Sequence, residues 1–396
     1  MASSTITSLS HSELASLSAP DGKITGVQHL ASYNWLERPA ATISVPGGPP
    51  RWSPPSHAPK LTPDAGTVYI DQNAARNPRS PLEPLFLALY TEHPDFNIGD
   101  VDLVTDRNNI RKLLRFVQGS STDPFQIRVE VAGKKTALFT RVEERTTETI
   151  QGFRGYGHSF EKAYTKGQSD SAGHHRIVSY AFGGLRCIVR HEVDGYVHDK
   201  KAAVDVADDL GDAMKKLAIS KPGVAIKYPG MLSIEEQGNA VDLSTTLEIK
   251  TRASHRALDM ADVSPQLWIS QTPRLVVGYH RRGVFDDVRL RDMTRDLAQW
   301  ETRNQKHLSM LAGLLKKIID VVGSGSGDRR ALVKYEGGSV LKIVTVEGAR
   351  AALPEYWYPK WETKEEQKVE GVDVKEDTEG ATAVENKKED TDQSAK

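Results

Sequence analysis

His191-Glu192-Val193-Asp194-Gly195 is the stretch on which the reading of this chain turns. Two carboxylates two residues apart project from the same face of a strand, with Val193 packing behind them. Further along, Glu248-Ile249-Lys250 repeats the spacing with a carboxylate and an ammonium. On neighbouring strands these side chains would meet in one small patch, where three like charges coexist only with a cation between them. Hard oxygen donors of this kind suit Mg2+ or Mn2+, and Lys250 would orient or deprotonate a water or stabilise developing charge. That is the logic of metal-dependent phosphodiester hydrolysis. Each motif alone also describes a solvated strand face, so the weight rests on what surrounds them.

Around these motifs the apolar period alternates between two and 3.6 residues. Residues 177–197 read as two strands broken at Gly183-Gly184, and 246–251, 274–279 and 284–290 as further strands; 125–141 alternates as a hairpin around Gly133. Residues 81–93, 106–117, 160–164 and 202–217 have helical spacing, 301–322 reads as a long helix ended by a Gly/Ser loop, and 331–346 as a last hairpin. The prolines of 40–65 forbid helix and predict an extended strap over the domain, pinned by Trp35 and Trp52. With no internal repeat, the mixture predicts α+β: one domain over 31–361, a central mixed sheet flanked by helices, with an insertion at 200–240.

Composition narrows the class. The chain has 396 residues, 38% hydrophobic and 27% charged, enough to bury a core. Its longest apolar stretches are interrupted and too short for a spanning helix, so no membrane association is expected. One cysteine, Cys187, excludes an internal disulfide and a cysteine-rich zinc site, and suits a reducing compartment, nucleus or cytoplasm. Cys187 itself reads as a core residue, and Trp357 as closing the core. Residues 1–30 have no Lys or Arg before Lys23 and read as a flexible end without signal or transit features. Residues 362–396 hold 12 Asp/Glu against 6 Lys and predict a disordered acidic tail.

The order of motifs resembles that of the PD-(D/E)XK nuclease superfamily and, within it, the decapping exoribonuclease (DXO) family and its nuclear relatives. That order is an arginine, a G-Φ-x-Φ-E motif, an E-Φ-D motif, an E-Φ-K motif and a downstream glutamine. Gly157-His158-Ser159-Phe160-Glu161 looks like the G-Φ-x-Φ-E motif, with His158 where an apolar residue is usual. Glu192-Val193-Asp194 and Glu248-Ile249-Lys250 look like the next two, and Gln266 like the glutamine. Arg107 stands in the place of the first arginine, with Arg111 and Arg115 as competitors.

The resemblance implies Glu161, Glu192, Asp194 and Glu248 as ligands of Mg2+ or Mn2+, with Glu192 serving a second metal or its water. It implies Lys250 as activator of the nucleophile, Glu192 and Gln266 as further catalytic groups, and Arg107 and Gln266 as holders of substrate. The implied reaction is hydrolysis at RNA 5′ ends, of decapping, pyrophosphohydrolase and 5′-3′ exoribonuclease type, with a 5′-3′ exoribonuclease as partner; oligomeric state stays open. The 194–248 connection is longer than the family's, which marks a divergent branch and keeps an alternative: a catalytically silent RNA-end or protein-binding module.

Two further motifs need weighing. Asp208-Asp209-Leu210-Gly211-Asp212 matches the D-D-x-x-D of prenyl diphosphate synthases, but its nearest counterpart, Asp286-Asp287, falls in a predicted strand without a third aspartate. It reads as a charged helix face. His174-His175 are adjacent on a strand, point to opposite faces and read as a surface pair, not metal ligands.

Overall fold

In the computed structural model the Leu185–Glu192 strand is buried on both faces. Ile188 packs into one apolar cluster, while Cys187 and Val189 pack into another, as successive side chains of a strand must. The same split runs through the neighbouring strands: Val104 and Leu138 join Ile188, whereas Leu103, Ala137 and Phe139 join Val189. A sheet covered on both sides carries consecutive apolar residues, as in Cys187-Ile188-Val189, Leu103-Val104 and Ala137-Leu138-Phe139. The cluster around Val189 is completed by the helices Arg107–Val117, Met260–Ser270 and Thr294–Gly323. The cluster around Ile188 is completed by the Glu83–Glu92 helix and by Glu355–Trp361, where Trp357 stacks on Tyr90 at 5.4 Å.

The structure describes residues 4–19, 21–198, 226–227, 232–325 and 327–362. The predicted 202–217 helix with its aspartate motif, and the acidic tail beyond Glu362, lie outside them. Met1–Trp361 forms one compact unit. Among the described residues no helix is long and apolar enough to cross a membrane.

The larger sheet runs from edge to edge as Thr5–Ser10, Val340–Val344, Arg330–Tyr335, Phe125–Ala132, Thr136–Val142, Leu103–Asp106, Leu185–Glu192, Ser171–Phe182, Ile24–Leu36, Thr42–Gly47, Ser233–Gly238 and Ile226–Lys227. A second sheet runs as Thr165–Lys166, Arg51–Trp52, Gly195–Tyr196, Thr246–Ala253, Arg274–Arg281 and Val284–Asp292. A third, two-stranded ribbon pairs Gly66–Tyr69 with Thr147–Ile150.

The expected helices, hairpins and strands are present among the described residues, with four corrections. Among the described residues the segment before residue 30 is not a flexible end: Thr5–Ser10 pairs with Val340–Val344, and Leu9 and Leu14 are buried in the core. Its β-branched Thr5, Ile6 and Thr7 suit an edge strand that the serine-rich composition disguises. The proline-rich segment is not a strap, because Thr42–Gly47 and Arg51–Trp52 are strands in the two sheets. The long helix starts at Thr294 instead of 301, its first N–H (Thr294) bound to Asp292 Oδ1 at 2.9 Å. His174 and His175 are buried, not a surface pair: His174 Nδ1 lies 2.6 Å from Asn34 Oδ1, and His175 Nε2 2.9 Å from Gln72 Oε1. Separate partners leave them no shared metal.

Candidate active site

The expected α+β fold with a central mixed sheet is present, but the two motifs, expected on adjacent strands of that sheet, lie in two different sheets, and the E-V-D stretch makes the junction between them. Val193 N donates to His174 O at 3.0 Å in the larger sheet, while Gly195 and Tyr196 pair with Leu247 and Thr246 in the smaller one. A side chain at Gly195 would place Cβ 2.9 Å from Pro50 O, so only glycine lets the chain cross here. Asp194 then fills the gap where the two strands part: its Oδ2 accepts from Ile249 N at 2.7 Å. A side-chain oxygen thus supplies the acceptor that a continuing strand would have offered.

Within Thr246–Ala253, Ile249 packs with Phe160 and Phe285 in a third cluster, and Glu248 and Lys250 face the other way. Lys250 Nζ reaches Glu248 Oε1 at 2.6 Å, and Arg107 Nη1 reaches Glu248 Oε2 at 2.9 Å. Gln266 is placed by its hydrogen bonds: with the amide oxygen toward Arg111 Nη1 (3.2 Å) and Nη2 (3.0 Å), its nitrogen donates to Glu248 Oε1 at 3.3 Å. Glu248, only 3% exposed, is therefore the hub of three donors. Arg111 and Arg115 both bind Asp262, so of the three candidate arginines Arg107 is the one that meets Glu248.

Glu161 comes from the Gly157–Tyr164 helix, whose position rests on Phe160 packing against Gly278; a Cβ there would sit 2.8 Å from the Phe160 ring. Asp64 fixes the start of the same helix, accepting from Ser159 N at 2.9 Å and His158 N at 3.3 Å. Glu161, Glu192, Asp194 and Arg107 line a cleft of about 750 Å³, together with Arg111, Arg141 and Lys162. Glu248 and Gln266 are buried, and the Lys250 side chain is 29% exposed. Gln266, predicted to contact substrate, is instead 6% exposed and braces Glu248 against Arg111. Arg107, predicted to hold a phosphate, has an ion-pair partner already.

The electrostatics sort the carboxylates. Burial by itself would raise the Glu248 carboxyl, but Arg107 and Lys250 outweigh it and hold the group down to about 2. Burial pushes Asp194 up to about 7, and the Glu248 charge adds to the push against Lys250 and the Ile249 N–H. Glu161 is also raised well above its ordinary value, by loss of hydration first and then by the Asp194 and Glu192 charges. Glu192 is raised by loss of hydration, with Arg107 pulling it back, while part of its side chain stays open to solvent. Burial would lower Lys250, yet Glu248 raises it, so the amine stays an ammonium.

These shifts predict a pH dependence. Folded Asp194 keeps its proton up to about 7, whereas the unfolded chain gives it up near the ordinary carboxylate value. Its contribution to stability is therefore present at low pH and lost as pH rises toward 7. Glu248 has the opposite sign, its contribution lost only as pH falls toward about 2. Without added metal, thermal unfolding is expected to shift down between about pH 5 and about pH 8, and less so in Asp194→Asn. Equal shifts in both proteins would show that Asp194 ionises freely.

The donor set of Glu161, Glu192, Asp194 and Glu248 has the hard-oxygen chemistry of a divalent-cation site, and carboxylates crowded until their protons bind more tightly are what such a cation relieves. As placed, no three His, Cys, Asp or Glu side chains among the described residues converge closely enough to hold an ion. Both oxygens of Glu248 are taken by Arg107, Lys250 and Gln266.

Sequence reasoning missed the buried pair that supports Arg107. Arg190, 1% exposed, lies beneath Glu192 on the same strand face and binds Asp106 through Nε (2.7 Å) and Nη2 (3.0 Å). Asp106 immediately precedes Arg107, at the start of the Arg107–Val117 helix. An arginine two residues before Glu192 shares its strand parity, and that spacing was the available signal.

Residues 10–355 match the family described as "Domain of unknown function (DUF8563)". No curated protein matches the chain. Among solved structures it is similar to Rai1 of S. pombe, with a TM-score of 0.56 at 14% identity, covering 85% of this chain and 98% of that one. Rai1 of Scheffersomyces stipitis, crystallised with (3′-NADP)+ and calcium, gives 0.56 at 12% identity, covering 91% and 99%. Rai1 of Candida albicans, crystallised with pU5 and Mn2+, gives 0.52 at 11%, covering 91% and 99%. The chain shares the fold of these proteins across most of its length, and the α+β architecture is theirs.

Proposed function

The chain belongs to the DUF8563 family, a domain of unknown function, and we propose that it is a divalent-metal-dependent hydrolase acting at RNA 5′ ends. The observation that carries this reading is the Asp194 Oδ2 to Ile249 N–H bond, which locks the E-V-D and E-I-K motifs together at the head of a cleft bearing Arg107, Arg111, Arg141 and Lys162. Support also comes from the fold shared with Rai1 proteins, two of which were crystallised with Ca2+ or Mn2+ and one with pU5. Glu161, Asp194 and Glu248 would hold Mg2+ or Mn2+, with Glu192 at a second position. When bound, the ion supplies Lewis-acid polarisation of a phosphoryl oxygen and lowers the pKa of water.

This chain's own residues do the rest. Lys250, kept as an ammonium by Glu248, donates to developing negative charge and does not take a proton. Arg107 and Lys250 keep Glu248 ionised, and Gln266 helps to keep it aimed. Lys162, together with Arg111 and Arg141, which also pair with Asp262 and Glu143, supplies the cations along which a phosphate backbone would settle. Incubation with 5′-phosphorylated and 5′-capped RNA in Mg2+ or Mn2+, with products resolved at the 5′ end, tests the proposal. Metal-dependent release of 5′ products supports it.

A second reading is favoured by one observation: both Glu248 oxygens are already engaged by cations and an amide. A silent module binding RNA ends would keep that arrangement permanently. In the same assay it would bind RNA and release nothing.

A further inference from the structure

Past the carboxylates, the cleft wall is made by the ribbon strand Gly66–Tyr69 and the short Gln72–Arg76 helix that follows it. This turn is fixed to the body. Asn73 Oδ1 accepts from Tyr33 Oη at 2.5 Å and Trp35 Nε1 at 3.0 Å, and Asp71 Oδ1 accepts from Ala74 N at 3.0 Å. Arg76 donates from Nη1 to Leu36 O (3.1 Å) and from Nη2 to Glu37 Oε1 (2.7 Å). Held there, its guanidinium lies between two rings, 5.7 Å from the Trp35 centroid and 5.3 Å from that of Tyr69.

The two rings differ in one respect. Trp35 is fully buried, whereas Tyr69 is 45% exposed and lines the same cleft as Glu161, Glu192 and Asp194. One face of Tyr69 is thus occupied by Arg76 while the ring stays open to the cleft. A rigid, half-open aromatic of this kind loses little entropy when a flat partner covers it. The cation behind the ring draws density from it, which disfavours a second cation on the free face and favours a neutral π system. A lysine or arginine of a peptide partner is the wrong chemistry; a nucleobase is the right one.

We infer that Tyr69 is a stacking platform for one nucleobase of a single-stranded nucleic acid whose phosphates lie along the cationic side of the cleft. This rests on the nucleic-acid reading above and adds to it the residue that grips a base. The ring contributes no bond to the reaction, so its effect is on binding.

The test uses the full chain without added metal, and two kinds of probe: a short 5′-phosphorylated single-stranded RNA, and the same RNA with one base removed at each position in turn. For the wild type, affinity is expected to fall roughly tenfold at one abasic position. Tyr69→Ala is expected to lose about as much on the intact RNA and to show no further loss at that position, while Tyr69→Trp keeps wild-type behaviour. If Tyr69→Ala keeps the wild-type ratio between intact and abasic RNA at every position, the platform is overturned and the nucleic-acid reading stands. A wild type that binds none of the probes overturns both.

Discussion

Replacing Arg190 by methionine is expected to destabilise the protein by about 3–5 kcal/mol, the cost of leaving the other half of a buried ion pair uncompensated. The guanidinium binds Asp106 in a two-pronged grip and also donates from Nη1 to Pro81 O at 2.8 Å and to Tyr33 Oη at 3.2 Å. Asp71 lies close enough to add to the charge that Arg190 balances. Methionine fills much of the volume but satisfies none of these acceptors. A second substitution distinguishes pairing from packing. Asp106 makes no side-chain cap to its helix, so Arg190→Met with Asp106→Leu loses little capping and is expected to recover much of the stability. Chemical denaturation of the two variants and the wild type checks this. A single variant as stable as the wild type would mean that the pair carries no net energy.

Asp194→Asn is expected to reduce metal-dependent RNA hydrolysis by at least about 100-fold, the scale on which hydrolytic sites feel the loss of one charged group. The variant keeps the side chain's size, and its amide oxygen still accepts from Ile249 N, so the sheet junction survives. It also removes a carboxylate that the site pushes up to about 7, so melting should not suffer at neutral pH. Glu248→Gln is a poorer probe because Arg107 and Lys250 then lose their counter-ion and stability falls along with turnover. Steady-state cleavage assays paired with melting curves separate the two effects. Wild-type turnover in Asp194→Asn would remove this residue from the chemistry.

The local elements of this protein were legible in its residues. The apolar period of the Arg107–Val117 helix and the Gly183-Gly184 break both follow from interactions between near neighbours. The order of five motifs added the fold and pointed at Glu161, Glu192, Asp194, Glu248, Lys250, Gln266 and Arg107, which the structure gathers into one region. Thr5–Ser10 escaped because an edge strand gains its order from the backbone of Val340–Val344, and serine and threonine carry no apolar signal for that.

What each charge does was not legible, since it depends on closure of the chain over long separations. Arg107 finds Glu248 across 141 residues, and Arg190 finds Asp106 across 84. No local pattern encodes which cation reaches which anion; burial and the crossing from one sheet into the other decide it. Gln266 and Arg107, expected at the substrate, both meet Glu248 as well. The packing of the Gly66–Tyr69 ribbon and the Gln72–Arg76 helix on the body likewise put Tyr69 and Arg76, unremarkable as sequence, into a stack at the cleft wall. Side-chain periodicity is a property of a strand or helix alone, whereas the pairing of buried charges is a property of which elements pack together.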